Sequence, residues 1–169
     1  MTKQQPALIL IVDDDYDFLE INRVILERAG YRVATAAEPA EAFRLMEAEA
    51  PDLIITDLMM TSVDDGFAFA RALRADPRYA AIPIVMSTSV SSALGLDFRP
   101  RTQEDLAAMN VDAFLDKPLR RESLLQTVRA LLESSDEEHV AGSASSSAGA
   151  PCSSSAADRD AGVDGPEVE

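Results

Sequence analysis

The sequence has little of several residue types that would point to particular functions. Its single cysteine, Cys152, excludes an internal disulfide and any metal site built from a cysteine cluster. The apolar run at residues 7–12 is too short for a secretory signal segment or a membrane span. These absences predict a soluble, cytoplasmic protein that does not associate with a membrane.

Basic residues are scarce as well. Fifteen lysines and arginines stand against 30 aspartates and glutamates, which gives a formal net charge of −15. No basic patch is visible, and proteins that bind nucleic acid directly usually need one to neutralise phosphates. The composition therefore predicts no direct DNA binding.

The last part of the chain, residues 134–169, differs in composition from the rest. It holds eight acids and one base, and its apolar residues are almost all alanine. Such a segment cannot bury enough apolar surface to offset the entropy lost on ordering. We predict a single domain at residues 1–133 followed by a disordered acidic tail, for which a docking or phosphorylated segment is the alternative.

Residues 1–133 contain five short apolar runs, each bounded by polar residues. Continuous runs of this kind are typical of strands that are buried on both faces of a parallel sheet. The runs are "ALILIV" (7–12), "YRVAT" (31–35), "DLIIT" (52–56), "IPIVMS" (82–87) and "DAFL" (112–115).

Segments with helical spacing alternate with these runs. In the first, Phe18, Ile21, Ile25 and Ala29 are predicted to form the buried face, and Gly30 ends the helix. The other four helices are predicted to begin at Pro39, near Phe67, at the capping box "TQED" near Thr102, and before the apolar series Leu124, Val128, Leu131 and Leu132. Five strands alternating with five helices predict a doubly wound α/β sandwich around a parallel sheet.

Charged and hydroxyl side chains follow the predicted strands. Asp13 and Asp14 follow the first strand, Asp57 the third, Thr88 the fourth and Lys117 the fifth. The carboxyl ends of parallel strands share one edge of the sheet, where doubly wound folds place their sites. Two carboxylates about 4 Å apart repel by ~4 kcal/mol at an effective dielectric constant near 20. A cation is therefore expected among them.

Each of these residues has a simpler explanation when it is taken alone. Asp13 and Asp14 could stabilise a helix N-terminus, and Asp57 could cap the loop that follows it. Thr88 could be a buried strand hydroxyl, and Lys117 could be a solvated surface charge. Asp15 is predicted to be the N-cap of the first helix and not part of the site.

Four sequence blocks, in order, resemble those of the receiver domain of two-component response regulators. They are "ILIVDDD", "DLIITDLMM", "IPIVMSTS" and "DAFLDKPL", and the resemblance covers about residues 6–133. The resemblance implies a flavodoxin-like (βα)5 fold with strand order 2-1-3-4-5. It also implies the following roles: phosphoacceptor for Asp57, metal binding for Asp13 and Asp14, switch hydroxyl for Thr88, switch aromatic for Phe114, and phosphoryl contact for Lys117.

The same resemblance implies a cofactor. Mg²⁺ prefers oxygen ligands and is commonly bound by a few carboxylates together with phosphate. Asp14 and Asp57 would ligate it directly, Asp13 through water, and Met59 through its backbone carbonyl. In the family the lysine and the following proline, here Pro118, are joined by a cis peptide bond.

The sequence departs from the family pattern in three places. Thr61 replaces the usual proline, with one extra residue before Gly66. The stretch around residues 90–101 is longer than usual and is either a tolerated surface loop or a change to the fourth-helix surface. Met59 and Val90, the positions that tune loss of the phosphoryl group, are both apolar, which predicts slow self-dephosphorylation.

These features predict a stand-alone receiver that catalyses only its own phosphorylation and dephosphorylation. It would take its phosphoryl group from a sensor histidine kinase or a histidine phosphotransfer protein. It would signal to a partner protein through the fourth helix, fifth strand and fifth helix, with phosphorylation-dependent dimerisation as a further expectation.

Three alternatives stay open. The protein could be a phosphorelay intermediate, or a pseudo-receiver that acts as an adaptor without phosphorylation. A haloacid-dehalogenase-type phosphatase, with Asp13 as nucleophile and Asp15 as acid/base, is a third.

Overall fold

The computed structural model describes residues 5–60, 65–89 and 102–142, with side chains to residue 135. Five parallel strands form one sheet in the order β2-β1-β3-β4-β5. The strands are β1 (Leu8–Val12), β2 (Arg32–Ala36), β3 (Leu53–Asp57), β4 (Ile84–Thr88) and β5 (Ala113–Asp116). The helices are α1 (Tyr16–Arg28), α2 (Pro39–Ala48), α3 (Asp65–Ala75), α4 (Gln103–Ala108) and α5 (Arg121–Gly142). The predicted fold class and strand order are confirmed.

The burial of each strand follows its place in the sheet. Every residue of β1, β3 and β4 is buried, whereas β5 and most of β2, which lie at the two edges, are half-buried. Only the central strands require apolar side chains on both faces. Each observed strand lies within one or two residues of its predicted apolar run.

The helices cover the two faces of the sheet. On one face Leu19 and Leu26 of α1 pack with Leu124 and Val128 of α5. On the other, α2 and α3 supply the buried residues, and α4 adds the half-buried Leu106. The result is a three-layer sandwich, in which each helix buries one apolar stripe.

Local signals define most helix ends as predicted. The Asp15 side chain caps α1 by accepting hydrogen bonds from the backbone N–H groups of Asp17 and Phe18. Thr102 and Asp105 form a capping box at the start of α4. Gly30 has a φ of 96°, a conformation that glycine adopts without steric cost, and it follows the end of α1.

The predicted buried face of α1 is partly wrong. Ile21 is 61% exposed, and the buried residues of the helix are Leu19, Asn22 and Leu26. Successive residues turn by about 100° around a helix, so Ile21 lies about 100° away from Asn22 at the centre of the buried stripe. Because the residue at that centre is polar, the apolar pattern of the sequence did not indicate the buried face.

Helix α5 also differs from the prediction, because it continues to Gly142 although we expected disorder from residue 134. The hydroxyl groups of Ser134 and Ser135 donate to the carbonyl oxygens of Ala130 and Leu131 at 3.0 and 2.9 Å. These bonds follow the i to i−4 spacing of a helix, so the serines are compatible with its continuation. Residues 143–169 of the predicted tail lie outside the described residues.

The predicted insertion at residues 90–101 lies between β4 and α4 and is outside the described residues. Among the helices that the structure describes, none has the length and apolar character needed to cross a membrane.

Candidate functional site

Three carboxylates meet at the carboxyl edge of the sheet. Asp13 and Asp14 follow β1, and Asp57 is the last residue of β3, the neighbouring strand. One oxygen from each of the three lies within 4.8 Å of the others. Asp13 and Asp57 are buried and Asp14 is exposed, so the cluster opens to solvent on the side of Asp14.

Backbone groups hold two of these carboxylates in place. Oδ1 of Asp13 accepts a hydrogen bond from the N–H of Asp15 at 2.9 Å. Oδ1 of Asp57 accepts one from the N–H of Met59 at 3.3 Å. Each aspartate thus keeps a second oxygen for another partner.

Gly66, in the first turn of α3, lies against the backbone beside Asp57. A Cβ atom at this position would lie 2.3 Å from the carbonyl oxygen of Asp57 and 2.7 Å from the Cα of Leu58. The start of α3 can approach the end of β3 this closely only because residue 66 has no side chain.

Lys117 is the countercharge of the cluster. Its Nζ donates to Oδ2 of Asp13 at 2.5 Å and to Oδ2 of Asp57 at 3.0 Å. The same Nζ lies 4.2 Å from the centre of the Phe18 ring in α1. The backbone N–H of Lys117 donates to the carbonyl of Thr88 at 2.9 Å, and the bond to Pro118 is cis.

Burial and charge act against each other in this cluster. Burial raises the pKa of Asp13, and the hydrogen bond and charge of Lys117 lower it only in part. Burial lowers the pKa of Lys117, but the hydrogen bond with Asp13 and the charges of Asp13 and Asp57 outweigh it, so the pKa is raised. Lys117 is therefore held in its charged form.

The donor atoms of the cluster suit a hard divalent cation. All three side chains offer carboxylate oxygens, which are the ligands that Mg²⁺ prefers. When Asp13, Asp14 and Asp57 are ionised and Lys117 is charged, two negative charges stay uncompensated, and a divalent cation would offset them. The residues present therefore fit the predicted magnesium site.

The two predicted switch residues lie on β4 and β5, the two strands beyond β3 in the sheet. Thr88 is 1% exposed and ends β4, opposite Asp116 in the parallel register. Phe114 pairs with Met86 and is half-buried against the apolar cluster that contains Met86. Val90, which is predicted together with Met59 to tune the loss of the phosphoryl group, lies outside the described residues.

Phe18 is the site residue whose role the sequence reading missed. Its apolar character predicted a core position, and the ring does pack partly into the core, but one face of it meets the ammonium of Lys117. An aromatic residue in the first turn of the helix that follows the aspartates was the available signal.

Comparison with known proteins agrees with this geometry. The family model described as the response regulator receiver domain matches residues 9–129. The DNA-binding dual master transcriptional regulator RpaA of Synechocystis is 38% identical over 130 residues, which cover 76% of this chain and 50% of RpaA. Response regulator Rre1 of the same organism is 33% identical, over 83% of this chain and 58% of Rre1.

Solved structures show the same fold. The chemotaxis response regulator CheY4 of Vibrio cholerae is 32% identical, with a TM-score of 0.63 over 75% of this chain and 98% of CheY4. A response regulator of Chloroflexus aurantiacus is 27% identical, with a TM-score of 0.64 over 76% of this chain and 98% of its own.

The chain spans about half the length of the curated relatives that it matches. DNA binding appears in the name of one of them, so the expectation that this chain does not bind DNA finds no support there. The family model covers residues 9–129 of the 169, and the carboxylates and lysine of three of the sequence blocks meet at one edge of the sheet. The chain therefore belongs to the response regulator receiver domain family.

Proposed function

We propose that Asp57 accepts a phosphoryl group from a histidine kinase or a histidine phosphotransfer protein. One observation carries the proposal: the Asp57 carboxylate is 3.0 Å from the ammonium of Lys117 and lies within 4.8 Å of the carboxylates of Asp13 and Asp14. A nucleophilic carboxylate, a fixed cation and a divalent-cation site are the groups that phosphoryl transfer to an aspartate requires.

In this mechanism an Asp57 oxygen attacks the phosphorus atom. A P–O bond forms while the P–N bond of the phosphohistidine breaks, and the departing imidazole takes up a proton. Lys117 contacts an oxygen of the transferred group and offsets its charge. The N–H of Met59 keeps the carboxylate oriented through its bond to Oδ1.

Mg²⁺ bound at the site would neutralise charge on the phosphoryl oxygens. The residues that would hold it are Asp13, Asp14, Asp57 and the backbone carbonyl of Met59. Lys117 already donates hydrogen bonds to Asp13 and Asp57. The lysine and the cation would therefore compete for the same carboxylate oxygens.

The signal would pass from the site through Thr88 and Phe114. Thr88 ends β4, and its carbonyl already accepts a hydrogen bond from the backbone of Lys117. Movement of its hydroxyl toward a phosphoryl oxygen would shift the β4 end and let Phe114 repack, which favours one of two conformations.

The surface formed by α4, β5 and α5 would carry this change to a partner protein. β5 is half-buried along its length, and it borders a groove of about 530 Å³ that Phe114, Pro118, Arg120 and Ser123 help to line. A change in Phe114 would therefore alter the shape of this groove.

The test is to incubate the protein with Mg²⁺ and acetyl phosphate and to map the modified residue by mass spectrometry. We expect modification at Asp57, sensitive to hydroxylamine and absent from Asp57→Asn. Modification at Asp13 would indicate a phosphatase mechanism, and an unmodified protein would indicate a pseudo-receiver. Asp13 is 0% exposed and Asp57 is 6% exposed. The hydrogen bonds to the Asp57 oxygens, at 3.3 and 3.0 Å, are longer than those to the Asp13 oxygens, at 2.9 and 2.5 Å, which favours Asp57 as the nucleophile.

A second experiment separates an end-point receiver from a relay intermediate. The phosphorylated protein is mixed with a histidine phosphotransfer protein, and the phosphoryl group is followed. Rapid transfer onward would favour the relay, whereas retention on Asp57 would favour signalling through a partner.

A further inference from the structure

We infer that Phe18 is a positioning residue for Lys117: the face of its ring holds the ammonium where it reaches Asp57. The inference rests on the proposed function and adds a residue to its site. The observation behind it is the distance of 4.2 Å between Nζ of Lys117 and the centre of the Phe18 ring.

The backbone of Phe18 is hydrogen-bonded on both sides of the residue, and its side chain is held by packing. The N–H of Phe18 donates to the Asp15 carboxylate at 3.2 Å, and its carbonyl accepts from Nδ2 of Asn22 at 2.7 Å. The side chain packs partly into the apolar cluster between α1, α5 and the sheet. Phe18 therefore presents a rigid surface in the first turn of α1.

Lys117 needs such a surface because its own chain is flexible. A lysine ammonium on a four-carbon stem can turn to many positions, and two carboxylates compete for this one. The contact with Asp13, at 2.5 Å, is shorter than the contact with Asp57, at 3.0 Å. The ring bounds the ammonium on a third side.

An aromatic face attracts a cation through its quadrupole, and the attraction strengthens when water is excluded. The Lys117 side chain is 16% exposed, so the contact is largely shielded from solvent. Without the ring, the ammonium would lose a restraint and spend less time near Asp57. Phosphoryl transfer to Asp57 would then slow.

A purely structural role for Phe18 makes a different prediction, because packing depends on volume and the cation contact depends on the π-system. The variants are therefore chosen in two groups. Phe18→Tyr and Phe18→Trp keep an aromatic face, whereas Phe18→Leu and a cyclohexylalanine at the same position remove it and keep an apolar side chain. Ile25→Val, on the same half-buried side of α1, is the matched packing control.

The experiment measures the rate of Asp57 phosphorylation by acetyl phosphate with saturating Mg²⁺, using variants that melt as cooperatively as the native protein. We expect both non-aromatic variants to be slower by between about twofold and thirtyfold. The two aromatic variants and Ile25→Val should stay within about twofold of the native rate. Rates that follow side-chain volume, or that are equal in all variants, would overturn the inference.

A spectroscopic measurement tests the contact itself. The Cε and Nζ resonances of Lys117 should carry a ring-current shift in the native protein and lose it with cyclohexylalanine. In a Lys117→Met background, replacing Phe18 with Leu should leave the remaining rate unchanged. If the native protein is not phosphorylated on Asp57, the proposed function is wrong. If it is phosphorylated but the Lys117 resonances do not change when the aromatic ring is removed, this inference alone is wrong.

Discussion

Lys117 donates a hydrogen bond to Asp13 over 2.5 Å and so joins the loop after β5 to the end of β1. In the sheet, β3 and β4 lie between these two strands. The ammonium therefore spans the carboxyl edge of the sheet and holds together elements that are 104 residues apart in the chain. Its removal should be felt in stability as well as in phosphoryl transfer.

Lys117→Met is expected to make the stability of the metal-free protein depend more strongly on pH. Burial already raises the pKa of Asp13, and loss of the lysine would raise it further. A carboxyl group with a raised folded-state pKa is most favourable when protonated, so its cost grows as the pH rises from its ordinary pKa of 3.8 toward the folded-state pKa. The melting temperature of the variant should fall further below that of the native protein as the pH rises above about 4, the ordinary pKa of an aspartate.

Thermal unfolding in EDTA across this pH range measures the effect. Added Mg²⁺ should restore part of the lost stability, because the cation replaces the missing positive charge. Melting curves that run parallel for the two proteins at every pH would contradict the expectation.

Asp13→Asn is expected to stabilise the metal-free protein and to weaken Mg²⁺ binding. The substitution removes a buried charge, and Lys117 keeps Asp57 as a partner. We expect a rise in melting temperature of ~2–6 °C in EDTA and a smaller increase on adding Mg²⁺ than in the native protein.

Asp15→Asn is the matched control for this variant. It makes the same change in charge two residues away, at an exposed position, and asparagine serves as well as aspartate at an N-cap. A similar stabilisation by both variants would mean that overall charge, and not burial of Asp13, is the cause.

Gly66→Ala is expected to destabilise the protein by roughly 1–3 kcal/mol. Its Cβ would lie 2.3 and 2.7 Å from backbone atoms of residues 57 and 58, which cannot move aside as a flexible side chain could. Equilibrium unfolding in urea gives the free-energy change.

Gly30→Ala provides the comparison, because Gly30 has a positive φ but open space where a Cβ atom would lie. Its cost should come from the backbone conformation alone, about 1–2 kcal/mol. Phosphorylation of Asp57 should be slowed only by the change at Gly66, which lies beside it.

Arg74→Met is expected to lower stability by about 1–2 kcal/mol. The guanidinium donates to the carbonyl oxygens of Ala80 and Ile82 at 2.6 and 2.8 Å and to Asp112 at 2.6 Å. It thus joins the end of α3 to the segments that lead into β4 and β5.

Arg78→Met tests whether any surface ion pair would have the same effect. Arg78 also bonds an aspartate, Asp76, but its side chain is 65% exposed and the pair is local. Exposed pairs contribute little, so the unfolding midpoint should not change. An equal loss of stability in the two variants would contradict a stabilising role for the contacts of Arg74 with the carbonyl oxygens.

The lifetime of the phosphoryl group is expected to be long, and Met59→Asn should shorten it. The apolar side chain of Met59 cannot orient a water molecule for attack on the phosphoaspartate, whereas an amide can. The decay of phosphorylated protein, followed by mass spectrometry, gives the rate. Met60→Asn is the control, since Met60 is similarly half-buried, and an equal acceleration there would contradict the role of Met59.

The sequence predicted the sheet well because the central strands are buried on both faces and read as continuous apolar runs. It also predicted the helix caps at Asp15 and Thr102, which depend on neighbours within a few residues. The convergence of Asp13, Asp57 and Lys117 followed from the rule that parallel strands end at one edge. These features depend on local patterns or on topology.

The remaining features depend on contacts between distant segments. The position of Phe18 over Lys117 and the bonds of Arg74 to Asp112 join residues 99 and 38 positions apart, and no local pattern signals them. The polar Asn22 at the centre of the buried stripe of α1 misled the reading of Ile21 for a similar reason: its burial depends on the tertiary fold.

The residues of the site extend from strands that differ in burial and therefore in local stability. Asp13 and Asp57 extend from β1 and β3, whose amides should exchange with solvent late, together with those of β4. Lys117 follows β5, a half-buried edge strand whose amides should exchange earlier. If Asp57 is phosphorylated as we propose, we therefore expect the acids to keep their places and the segment that bears Lys117 to move.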